Sequence, residues 1–124
     1  MYYRVFTSFL SLFFLVPPTF VESPMNQTIP KGHTASFPCT ALGVPRPSIT
    51  WYKSHDLITS NARYHILANQ TLVIYSVTAQ DSGSLTCRAM NEAGTREAKA
   101  YLLVAGLAFI FLYIIVFIPD FYKK

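Results

Sequence analysis

Residues able to do chemistry are few in this chain and widely spread. There are two cysteines, Cys39 and Cys87, three histidines and six carboxylates in 124 residues. The cysteines lie 48 positions apart. Two cysteines are too few for a structural zinc site, and none of His33, His55 and His65 stands at ligand spacing from them. In an oxidising compartment such a pair reads as a disulfide. Closing that loop restricts the unfolded chain by about 4 kcal/mol in the loop-entropy model. His55 adjoins Asp56, and His65 is near in sequence, but no placed nucleophile accompanies them. The sequence has no Gly-x-Ser-x-Gly elbow and no glycine-rich phosphate loop. The expectation is a chain without catalytic residues, metal or cofactor, and so not an enzyme.

Two motifs point to modification instead. Asn26-Gln27-Thr28 and Asn69-Gln70-Thr71 are N-glycosylation sequons without a middle proline. Both are expected at strand edges or turns, where a secretory-pathway enzyme could reach them.

The composition shows what surrounds these residues. The chain is 52% hydrophobic and 13% charged, against about 25% charged in typical soluble domains. The excess lies at the two ends, in "VFTSFLSLFFLV" and "AGLAFIFLYIIVFI". At the N-terminus, Arg4 precedes an apolar core from Val5 to Val16, and Pro17-Pro18 stop it. This is the layout of a signal peptide over residues 1–23, cleaved between Thr19 and Ser23; the alternative is an uncleaved anchor. At the C-terminus, the run Ala105–Ile118 extends through an aromatic belt to Tyr122. A helix over 105–122 reaches about 27 Å, close to the roughly 30 Å of hydrocarbon. It is read as a single-pass span with the N-terminus outside and 123–124 as a short cytosolic end. A lipid-anchor signal is disfavoured because no polar spacer precedes the apolar tail. A non-native tail from a truncated or alternatively spliced transcript is the other alternative.

The formal charge is +4, and between Pro24 and Val104 seven basic residues face four acidic ones. No basic run occurs, so the surface is mildly basic and suits at most a weak attraction to anionic glycans. Nothing beyond the sign of the charge points to nucleic acid.

Within residues 24–104 the apolar period is two. Ala35, Phe37, Cys39 and Ala41 share one face, as do Ile49 and Trp51, and Leu72 and Ile74. The same holds for Leu85, Cys87 and Ala89, and for Ala98, Ala100, Leu102 and Val104. That alternation, with turn residues in "GVPRP" and "NEAG", predicts half-buried strands and an all-β domain.

Cys39, Trp51 and "DSGSLTC" ending at Cys87 resemble an immunoglobulin domain, and "GVPRPSITWYK", "LVIYSVTAQDSG" and "NEAGTREAKAYLLV" are similar to its I-set type. The resemblance covers residues 24–104. It implies an immunoglobulin-like β-sandwich, with a Cys39–Cys87 disulfide between its second and sixth strands and Trp51 packed against it. It also implies a salt bridge between Asp81 and Arg63. Leu85 stands where the family carries a tyrosine, so it fills apolar space but lacks the hydroxyl. In related domains the outward face of three strands often mediates contacts. Here that face would carry Tyr52, Thr86, Arg88, Met90, Lys99, Tyr101 and Leu103. The expected function is cell-surface recognition of a protein or glycan partner, or self-association, as a lateral co-receptor or adhesion protein. The alternatives are a spacer fragment or splice form of a larger matrix or adhesion protein, and a secreted decoy.

Overall fold

The alternating segments become strands in the computed structural model, which describes residues 3–6 and 12–106. The chain runs β1 (Tyr3–Phe6), β2 (Leu12–Glu22), β3 (Gln27–Pro30), β4 (Ala35–Phe37), β5 (Thr40–Val44) and β6 (Ser48–Lys53). It continues through β7 (Asp56–Leu57), β8 (Tyr64–Ile66), β9 (Leu72–Ile74), β10 (Gly83–Asn91) and β11 (Gly94–Ala105). A 3-10 turn, Ala79–Asp81, precedes β10.

One sheet has the order β3-β11-β10-β6-β7. The opposing layer comprises β4-β9-β8 and β1-β2-β5, linked because β4 and β5 are one strand interrupted at Pro38–Cys39. Among the described residues all ladders are antiparallel except β3 with β11. The inward residues of the two layers form the core: Phe37, Trp51, Leu72, Ile74, Val77, Leu85 and Leu102 are all fully buried. Two facing sheets with interdigitated inner side chains make an all-β immunoglobulin-like sandwich.

The N-terminal side differs from the expected boundary. Residues 12–22, read as leader, form β2 and pair with β5 through Val16↔Val44, Thr19↔Leu42, Phe20↔Ala41 and Glu22↔Thr40. Pro18 is fully buried, and Phe20 packs against the core. The ladder shifts register between Val16 and Thr19, where Pro17 and Pro18 have no N–H to donate. An apolar run rich in Phe, Val and Leu suits a strand as well as a leader, and period alone does not separate the two. Residues 1–2 and 7–11 of the expected leader, and all of the expected span from 107 onward, lie outside the described residues. Among the described residues no helix is long and apolar enough to cross a membrane.

Candidate recognition face

The rigidity of the sandwich starts at the cystine. Cys39 and Cys87 are bonded, with Cα atoms 6.5 Å apart, within the range a disulfide spans. Trp51 is the register partner of Cys87 on β10 and is fully buried. Its indole N–H would be costly to bury unpaired, and it donates to the Gln70 carbonyl at 2.8 Å.

Asp81 is also buried, at 2% exposure, and three residues supply its donors. Arg63 grips it with both guanidinium ends, Nη1 to Oδ2 at 2.9 Å and Nη2 to Oδ1 at 2.7 Å. The Tyr64 hydroxyl donates to Oδ1 at 2.6 Å, and the Thr78 N–H donates to Oδ2 at 2.7 Å. Burial by itself raises the Asp81 carboxyl and is the largest single influence. The hydrogen bonds from Arg63, Tyr64 and Thr78 and the charge of Arg63 together outweigh it, holding the group well below the usual carboxylate range. Burial, then the bond to Asp81, pushes the Tyr64 phenol above its ordinary value. Leu85 is fully buried and supplies packing alone. The hydroxyl that ties down this corner comes from Tyr64. Sequence reasoning missed it because a Tyr beside an Arg has no distinguishing period.

With the inner faces packed, β6, β10 and β11 present their alternate residues outward. Register sets Tyr52 beside Thr86 and Thr86 beside Lys99, with Arg88 between Thr50 and Glu97 in the next row. The Arg88 guanidinium lies 4.4 Å from the centroid of the Tyr52 ring and donates from Nη1 to the Tyr52 hydroxyl at 3.0 Å. Its Nε donates to Glu97 Oε2 at 2.8 Å. Cation–π contact, hydrogen bond and ion pair hold three side chains in one arrangement. Next to them is a depression of about 530 Å³, which Ser54, His55, Ser84 and Lys99 also line.

Met90, Lys99, Tyr101 and Leu103 are exposed on the same sheet. Thr86 points outward but is 5% exposed, flanked by Tyr52 and Lys99. Glu97 was not among the expected face residues; its role depends on the β10–β11 register, which no single strand reveals. Both sequon asparagines are exposed. Asn26 Oδ1 accepts the Tyr101 N–H, and Asn69 Oδ1 accepts the Thr71 N–H in the turn between β8 and β9. Among the described residues no cluster of His, Cys, Asp and Glu could hold a metal ion.

Comparison with known proteins agrees with this geometry. A model described as the immunoglobulin I-set domain matches residues 18–104, so the match begins within the stretch read as leader. The mouse protein turtle homolog B is 36% identical over 104 residues, covering 83% of this chain. The mouse inactive tyrosine-protein kinase 7 is 43% identical over 90 residues, covering 69% of this chain. This chain spans 8% of the length of each of these two relatives. Among solved structures, the immunoglobulin domains 1–4 of sidekick-1 superpose with a TM-score of 0.70 at 34% identity, over 73% of this chain and 25% of that one. With its cystine, buried tryptophan and two-layer topology, the chain belongs to the immunoglobulin I-set family.

Proposed function

We propose that this chain is a cell-surface recognition module that binds a protein partner, or a second copy of itself, through the outer face of β6, β10 and β11. The observation that carries the reading is the Tyr52–Arg88–Glu97 cluster. Tyr and Arg are the residue types that dominate interface energetics, and here they are already locked in position beside exposed Met90, Lys99 and Tyr101. Preorganised side chains lose little entropy on binding. No chemistry is required, only complementarity of shape and charge.

The double substitution Tyr52→Ala/Arg88→Ala tests this. It is expected to reduce self-association or partner binding at least tenfold, with the melting temperature nearly unchanged, because both side chains lie on the outside of the sheet. Unchanged sedimentation and unchanged binding to cells would overturn the assignment of the face.

The expected topology is a leader at the N-terminus, a span over 105–122 and the domain outside. Cleavage between Thr19 and Ser23 would remove Pro18 and, at most of those positions, Phe20 from their packing. The burial of Pro18, the packing of Phe20 and the family match from residue 18 favour leader removal upstream of Pro18. β11 ends at Ala105, the residue where the apolar run begins. A domain seated that close to the bilayer reaches partners in its own membrane more readily than partners on another cell. A second reading, a module within a longer protein, is favoured by the small share of its relatives that the chain spans.

A further inference from the structure

The sequon at Asn26 lies beside two surface features that both require cover. The first is a sheet edge that is only partly paired. β3 pairs with β11 only over Leu102–Ala105, and the Tyr101 N–H takes Asn26 Oδ1 at 2.8 Å. Upstream of Tyr101, from Thr95 to Ala100, no described strand pairs with β11 on the side away from β10. Such an edge is a template on which another chain can add a strand. The second feature is apolar. Met25, adjacent to Asn26, is 73% exposed, and Tyr101, whose N–H Asn26 holds, is 58% exposed. Leu103 is 46% exposed and is the register partner of Thr28, the third residue of the sequon.

We infer that an N-linked glycan on Asn26 guards this edge. The transfer joins Asn26 Nδ2 to C1 of an oligosaccharide carried on a lipid pyrophosphate, which leaves as the amide gives up one proton. Transfer uses Nδ2 alone, so in the folded product the side-chain oxygen can still accept the Tyr101 N–H. A hydrated oligosaccharide at that point covers Met25, Tyr101 and Leu103 and blocks strand addition along β11. The recognition face is then left open on its β6 side, around Tyr52 and Arg88, and Tyr101 drops out of the partner's footprint.

This inference rests on the reading that the chain passes through the secretory pathway, and the second sequon separates the two. The full chain is expressed in mammalian cells and purified in mild detergent. Each site's occupancy is read by glycopeptide mass spectrometry, and self-association is read by sedimentation velocity. The expected result is occupancy at Asn26 and a monomer at concentrations too low for association through the β6 side of the face. Thr28→Ala removes the sequon but keeps Asn26, and is expected to associate at concentrations where the parent does not. Trimming the folded parent to a single sugar with an endoglycosidase makes the same comparison without a substitution. Asn69 occupied with Asn26 bare would overturn this inference alone, as would a trimmed protein that stays monomeric. Both sites bare would overturn the secretory reading as well.

Discussion

Asp81 has the most to lose from a single change. Its carboxylate is buried, and its charge is supported by Arg63, Tyr64 and Thr78 together. Its folded pKa is depressed. Its contribution is therefore fully present above the unfolded value, near 4, and is lost as pH falls through the folded value. Tyr64 is shifted the other way, so its share is present below about pH 10 and lost as pH rises. Asp81→Asn is expected to cost about 1–3 kcal/mol at neutral pH. That is below the roughly 3–5 kcal/mol of a fully buried pair, because the Arg63 side chain is 42% exposed and keeps part of its hydration. The variant should also lose much of the parent's destabilisation below pH 4. Thermal melts of both proteins between pH 2 and 7 check this, and parallel acid profiles would count against it. The Asp81–Arg63 partnership was legible as a family feature. The Tyr64 bond was not, because it depends on β8 turning beneath the corner.

Among the elements, β2 shows how one composition serves two purposes. "LFFLVPPTFVE" satisfies the requirements of a leader core and also those of a strand against β5. In the folded chain Thr19, Phe20 and Glu22 each find a partner on β5. A chain beginning at Pro18 is expected to be more stable than one beginning at Pro24 by about 1–3 kcal/mol, from the packing of Phe20 and the ladder it restores. Equal denaturant midpoints would argue that β2 adds nothing. The upper end of β2 is tied down by Asn91, which "NEAG" suggested only as a turn. Asn91 Nδ2 donates to the Val16 and Pro45 carbonyls, and Oδ1 accepts the Ala93 and Gly94 N–H groups. Gly43 leaves room for this. A Cβ there would lie 2.8 Å from Asn91 Nδ2 and 3.0 Å from the Val16 oxygen. Gly43→Ala is therefore expected to lower stability by about 1–3 kcal/mol through crowding. Amide exchange should quicken along β2 and the β10–β11 turn, and protection equal to the parent's would count against this contact.

For the whole molecule, the two-layer sandwich with one cystine gives a rigid support for the outward face of β6, β10 and β11. The loop closed by Cys39 and Cys87 accounts for much of that rigidity, with the core around Trp51 accounting for the rest. On the proposed topology, the apolar C-terminal run displays this support. The expressed full chain is expected to resist alkaline carbonate extraction and to leave only Lys123 and Lys124 on the far side of the membrane, with the domain accessible to protease from outside. A fully extractable chain would favour the secreted form. Crosslinking in mixed cell populations should recover partners from the same membrane, and recovery only from opposing cells would reverse that assignment.

By itself, the sequence determined the fold. Period-2 alternation decides which face of each strand is apolar and so makes the domain all-β, and the resemblance around Cys39, Trp51 and Cys87 implied the sandwich. The alternation also determined which residues of β6, β10 and β11 point outward, while the cystine and the buried tryptophan were implied by the resemblance carried by Cys39, Trp51 and "DSGSLTC". Only the tertiary structure decided what those residues do to one another. The Arg88 grip on Tyr52 and Glu97, the Tyr64 bond to Asp81, the Asn91 tie to Val16 and the seat of Asn26 against Tyr101 join residues far apart in the chain or across a turn. Such contacts depend on register and on how the layers stack, and these are set by the packing of the whole domain.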